Sequence, residues 1–189
     1  MDGTKHYGME LGTVVNDEHP DGLGWVQVTV QGLIAAPGIW APPIGNAGGG
    51  SAQRGDWHIP RKGSTVALFF HRGDPERPYY MPAHYGNRKS GTEVPTPLKD
   101  VPLRERQLVK VMETDSWVVL YDDRKGKDTL RIAHKLLEGL SLEMDGVKGA
   151  ALLKAESFIR IECPGIIDID GGKVQINGRA VLPSPKPLG

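Results

Sequence analysis

An all-β fold is what this chain predicts, and three observations carry the prediction. Its 25 glycines and 15 prolines in 189 residues require many tight turns and interrupt long helices. Apolar residues recur with a period of two in short runs, the signature of strands with one covered face. Between those runs stand turn pairs such as Pro164-Gly165, Gly171-Gly172 and Asn177-Gly178.

The elements follow in order. Glu10 to Val15 reads as a strand, Asn16 to Gly22 as a polar turn, and Gly24 to Val30 as a second strand, with Trp25, Gln27 and Thr29 opposite Val26, Val28 and Val30. After Gln31-Gly32-Leu33 the chain reads as loop through Trp40-Ala41-Pro42-Pro43 and the run Gly45 to Ser51. Thr65 to His71 is a strong strand, and Gly73 to Pro78 turns it back into Tyr79-Tyr80-Met81. Short strands joined by Gly/Pro turns point to a small barrel, because closure removes exposed edges. The expected domains are therefore a barrel over 1–82, a linker over 83–107 and a strand-rich segment over 108–181. A Pro-rich end follows over 182–189, with Leu182, Pro183, Pro185 and Pro187.

Leu108 to Met112, Ser116 to Tyr121 and Thr129 to Ile132 resume the alternation around the charged turn Asp122 to Asp128. Ala133 to Glu156 holds Leu136, Leu137, Leu140 and Met144 at helix-like spacing. Gly139, Gly146 and Gly149 oppose a helix, and Leu140, Leu142 and Met144 alternate as a strand does, so strands are expected. The last stretch carries the row Ile159, Ile161, Ile167, Ile169, Val174 and Ile176. Strands this short are marginal alone, so something must cover that row. Two covers are open: the rest of this chain, or identical rows from other chains.

Composition bounds the chemistry. Hydrophobic residues at 39% and charged residues at 24% suit a folded protein. Lys plus Arg and Asp plus Glu are 23 each, which disfavours general nucleic-acid binding, since neutralising phosphates needs a basic excess. One cysteine, Cys163, excludes an internal disulfide and a cysteine-based zinc site, and its place in the alternation reads as a packed residue. Met1 to Glu10 lacks the apolar core of a signal peptide and no apolar run matches a membrane span, so synthesis in a cytoplasm is expected.

Catalytic constellations are not legible. His6, His19, His58, His71, His84 and His134 never stand at ligand spacing, and no cofactor or metal is expected. The Gly45 to Ser51 run lacks the Gly-Lys-Ser/Thr of a phosphate loop, and no serine sits in a Gly-x-Ser-x-Gly elbow. Asp122 and Asp123 fall in a charged turn, while Asp168 and Asp170 alternate with Ile167 and Ile169 as a solvent row. Trp25, Trp40, Trp57 and Trp117, with Tyr79, Tyr80 and Tyr85, serve either as core and contact residues or as stacking surfaces.

A family resemblance draws these pieces together. The succession Gly12-Thr13-Val14-Val15 with Asp17, Gly24 to Leu33, Trp40-Ala41-Pro42-Pro43, Gly48-Gly49-Gly50, Ile59 to Phe70 and Gly73 to Pro78 resembles the OB-fold domain of central spike proteins. These belong to contractile phage tail baseplates (the baseplate assembly protein V type), tailocins and type VI secretion spikes. The C-terminal Ile-x-Ile and Val174-x-Ile176-Asn177-Gly178 rungs look like the trimeric β-helix that follows the OB domain in such proteins.

The resemblance implies a non-enzymatic homotrimer. Ile159, Ile161, Ile167, Ile169, Val174 and Ile176 would be buried between copies, and the tail tube and hub proteins would sit above. Such a spike is pushed mechanically through the host outer envelope, without specific nucleic-acid recognition, and resides in the virion tail baseplate. The segment 83–107 is too short for the lysozyme domain that some members insert, and no histidine follows His134 to make an iron-binding His-x-His tip. Leu182, Pro183, Pro185 and Pro187 would instead seat a separate tip protein. The rival class is an OB binding module for oligosaccharide or single-stranded nucleic acid, using the aromatics named above.

Overall fold

The computed structural model describes residues 5–44, 57–88, 91–171, 173–176 and 179–180. The chain divides into two units, Met1–Val94 and Pro95–Gly189. No helix among the described residues is long and apolar enough to cross a membrane.

The first unit is built on five strands: β1 (Glu10–Asn16), β2 (Val26–Val30), β3 (Ile34–Ala41), β4 (Thr65–Phe70) and β5 (Pro78–Pro82). They are hydrogen-bonded in the order β3-β2-β1-β4-β5. A parallel bridge between Pro43 and Tyr80 joins the outer strands, with the Tyr80 N–H donating to the Pro42 carbonyl at 3.0 Å and the Ile44 N–H donating to the Tyr80 carbonyl at 2.9 Å. The ring β1-β2-β3-β5-β4-β1 is thereby closed into a small barrel, and its edges are satisfied.

Alternation places Val26, Val28 and Val30 inside, and Val14, Val66, Leu68, Phe70 and Tyr80 from the neighbouring strands fill the rest of the core. Tyr80 is wholly buried and donates its hydroxyl to the Gly24 carbonyl at 2.9 Å, so its polar end is satisfied inside the barrel.

The loop expected after Leu33 contains a strand. In β3, Ile34 pairs with Val30 and Ile39 with Val28, leaving Ala35 to Gly38 as a bulge opposite Thr29. The small and Pro-containing run Ala35-Ala36-Pro37-Gly38 lacks apolar alternation, and its strand character comes from the neighbour that pairs with it. Gly38 is required there: its φ is +95°, and an added Cβ would lie 2.5 Å from the Val28 carbonyl oxygen.

Residues 83–107, expected as a linker, carry the short pair β6 (Asn87–Arg88) and β7 (Gly91–Thr92), helix α1 (Thr96–Lys99) and a 3-10 turn at Leu103–Leu108. The second unit is a meander of β8 (Val109–Glu113), β9 (Trp117–Asp122), β10 (Thr129–His134), β11 (Ser141–Asp145) and β12 (Ala150–Lys154), all antiparallel and in sequence order. The segment 133–156 is thus strand and turn, as the glycines and the Leu140, Leu142, Met144 alternation imply.

Beyond it, the described residues between Lys154 and Gln175 form no strand, and only a short hairpin follows, β13 (Gln175–Ile176) with β14 (Arg179–Ala180). The rungs expected at Ile159 to Ile169 are therefore not strands within one chain, because a strand needs a neighbouring backbone to bond. Cys163, expected to be packed, is exposed for the same reason. Leu182, Pro183, Pro185 and Pro187, like the run Gly45 to Ser51, lie outside the described residues.

Burial pushes the Tyr80 hydroxyl up to about 12 from its ordinary 10.0. A raised folded pKa stabilises fully below the unfolded value, so this contribution is lost as pH rises from about 10 through about 12. Tyr80→Phe should remove that alkaline sensitivity, strand the Gly24 carbonyl and cost about 1 to 2 kcal/mol. Circular-dichroism melts at neutral and alkaline pH check both effects.

Candidate assembly interface

The register of the meander sorts its side chains into two unlike faces. On one face lie Val111, Leu120, Arg131, Glu143 and the exposed Leu152, one cross-strand row, flanked by rows containing Val109 and Asp122 on one side and Glu113, Val118, Ala133 and Ser141 on the other. All the buried residues of the five strands, Val109, Asp122 and Ser141, belong to this face. On the other face the row Met112, Val119, Ile132, Leu142, Leu153 runs straight across all five strands, beside the row Lys110, Tyr121, Leu130, Met144, Ala151.

Trp117 and His134 extend the second face, their rings 5.0 Å apart edge to face. None of its residues is buried, and Met112 and Leu153 are 54% and 57% exposed. Apolar side chains continuous across five strands form a patch of the kind that marks an interaction surface.

Polar chemistry holds the first face. The Arg124 guanidinium donates two hydrogen bonds to the Asp122 carboxylate, at 2.8 and 2.7 Å, and lies 3.6 Å from Glu105 in the Leu103–Leu108 turn. These contacts fasten the turn to the sheet, where the Asp123 N–H also donates to the Leu108 carbonyl at 2.9 Å. Thr96, at the start of α1, donates its N–H to Glu113 at 2.6 Å, and Lys135 meets the same carboxylate at 2.6 Å. Burial pushes the Glu113 carboxyl up, but the hydrogen bonds from Lys135 and Thr96 outweigh it and hold it below its ordinary value. Val101, buried within this 95–108 segment, completes the cover. The charged groups are consumed in structure on one face, and the apolar face is left without cover.

The row expected as a trimer core is laid out in the same uncovered state. Ile161 and Ile169 are 66% and 68% exposed, Ile159, Ile167 and Ile176 are exposed as well, and Val174 is half-buried. Asp168 and Asp170 are exposed beside them, so water screens both acids. Among the described residues, no group of three or more His, Cys, Asp or Glu is placed to hold a metal ion. The sequence reading missed the apolar meander face as a unit. Its signal lay in the alternation of Leu108 to Met112, Ser116 to Tyr121 and Thr129 to Ile132, which identifies strands without saying which rows align.

Residues 10–85 match the family model of the type VI secretion system/phage-baseplate injector OB domain. The barrel of this chain is similar to that injector OB domain. The match spans β1 through β5, the strands that close the ring. No curated protein matches the chain. The family's description ties the matched barrel to the structural apparatus of type VI secretion and phage baseplates, and the second unit lies outside the match.

The Asp122 clamp makes a pH prediction. Hydrogen bonding from Arg124 holds its carboxyl below the ordinary 3.8. A depressed folded pKa stabilises above the unfolded value, so the contribution is present above about pH 4 and is lost as pH falls below it. Asp122→Asn should lower stability at pH 7 and flatten the acid limb of a plot of unfolding midpoint against pH. Denaturant melts from about pH 6 to pH 2 check this.

Proposed function

We propose that the chain is the central spike of a contractile phage tail baseplate, a homotrimer that stands below the tail tube and pierces the host envelope when the sheath contracts. The observation that carries this reading is the pairing of an injector OB domain with a second unit whose apolar face and C-terminal isoleucines are uncovered in a single copy. Three copies would bury the Met112, Val119, Ile132, Leu142, Leu153 row, and the extended segment 155–176 from each would gain strand neighbours from the other two.

In that arrangement Ile159, Ile161, Ile167, Ile169, Val174 and Ile176 form the inner row of an intertwined prism, and Asp168 and Asp170 face water. Threefold closure also pairs the open edges β8 and β12, which otherwise invite uncontrolled strand addition. Strands knitted between chains resist axial load because compression must break many ladder hydrogen bonds and expose apolar surface together. The work is mechanical, and the partners are the other two copies, the hub and tail-tube proteins above, and a tip protein seated on Leu182, Pro183, Pro185 and Pro187.

Light scattering of the purified chain should give a mass of three times 20.6 kDa. Ile132→Asp should abolish that assembly, because a carboxylate at an apolar contact between copies costs several kcal/mol when unpaired. Glu143→Gln, on the opposite face of the same sheet, should leave the trimer intact. Ile169→Asp should fray the C-terminal prism. A monomer at micromolar concentration with intact β structure would overturn the spike reading.

A further inference from the structure

The outer face of β2 and β3 carries polar and aromatic groups that neither the barrel core nor the assembly surfaces use. Gln27 and Trp40 stand directly opposite each other in the ladder, and Trp25, two residues before Gln27, shares their face. His19, from the loop joining β1 to β2, packs against both indoles, its ring centroid 5.1 Å from Trp25 and 4.9 Å from Trp40. Beside this half-buried aromatic shelf opens a groove of about 430 Å³ lined by Asn16, Asp17, Glu18, Gln27 and Lys62. Gln27 belongs to both features, and its side-chain amide is held by donation to the Gly38 carbonyl at 3.3 Å.

The groove is braced within the β1–β2 loop and by the segment before β4. The Asn16 side-chain oxygen accepts the Glu18 N–H at 3.0 Å, and Asp17 accepts the Lys62 N–H at 3.1 Å. Barrels of this topology bind oligonucleotides or oligosaccharides on the face of their second and third strands and on the loop joining the first two. The charges decide between them here. Asp17, Glu18 and Asp21 cluster in that loop, and among the described residues lining the groove Lys62 is the one cation, a balance that disfavours phosphate. Amides and carboxylates accept and donate to sugar hydroxyls, and flat indoles take the C–H face of a pyranose ring.

We propose that this shelf and groove form a carbohydrate subsite for a neutral oligosaccharide, one ring lying on Trp25 and Trp40 and its hydroxyls held by Asn16, Asp17, Glu18 and Gln27. The site stands on the injector OB domain alone and does not depend on the trimer. On a spike it would touch glycan of the surface being crossed.

The full chain labelled with 5-fluorotryptophan has four fluorine resonances, one for each tryptophan. Titration with cellotetraose and, separately, with chitotetraose should shift the Trp25 and Trp40 resonances saturably for at least one of the two, with a Kd of about 1 mM, while Trp117 stays fixed. Gln27→Ala, a surface change that leaves the core intact, should weaken that binding about tenfold, and Trp40→Ala at least as much. The proposal is overturned if neither saccharide moves Trp25 or Trp40 at about 10 mM, or if only Trp117 responds. It is equally overturned if a thymidine oligonucleotide shifts the two resonances and the saccharides do not, or if Gln27→Ala binds as tightly as the parent.

Discussion

A sheet with an apolar face has to be covered, and the two units of this chain meet that constraint in different ways. The barrel curls until its apolar rows face one another. Val14, Val26, Val28, Val66 and Leu68 bury each other, and the Pro43 to Tyr80 bridge removes the last edge. The meander has five strands and no curl to match. Its register collects Met112, Val119, Ile132, Leu142 and Leu153 into one line, half-buried in the middle strands and exposed at both ends.

Electrostatics decides which meander face stays open. The Arg124 to Asp122 pair and the Lys135 to Glu113 pair both lie on the face that the 95–108 segment covers, where backbone and side-chain donors satisfy the carboxylates. Charges partly withdrawn from water need such partners, since an unpaired one would be costly. The covering segment is therefore tied to the polar face, and the other is left for the proposed assembly. An equal count of 23 acidic and 23 basic residues fits a surface recognised by packing more than by long-range steering.

The proposed spike joins the injector-like OB barrel to a second unit whose apolar face other copies would cover. Force is best carried by a body whose strands belong to several chains, because separating them breaks many weak contacts together. The outer face of β2 and β3 is a separate resource on the barrel. Its Gln27, Trp25 and Trp40 are not part of the core, and their chemistry differs in kind from the aliphatic row of the meander.

Strand character was determined by the sequence wherever apolar and polar residues alternate: β1, β2, β4, β5 and the meander strands are local facts of Val26-Gln27-Val28-Thr29-Val30 and its counterparts. In the 133–156 segment the glycines weighed against a helix, and the pairing of β11 with β10 and β12 decided for strands. The ordered run of Gly12 to Pro78 motifs carried the family. What only the tertiary structure decided is what depends on a neighbour. β3 exists because β2 pairs with Ile34 and Ile39 around a bulge that has no pattern of its own, and the Gln27 to Trp40 juxtaposition follows from that pairing. The Asp122 to Arg124 clamp looked like a charged turn until the 103–108 segment was folded over it. The meander's apolar face emerged only when register aligned residues from five strands. Period-two alternation is written into one strand, whereas pairing, register and cover are properties of two or more, and the isoleucines from Ile159 to Ile176 lack both pairing and cover within a single copy.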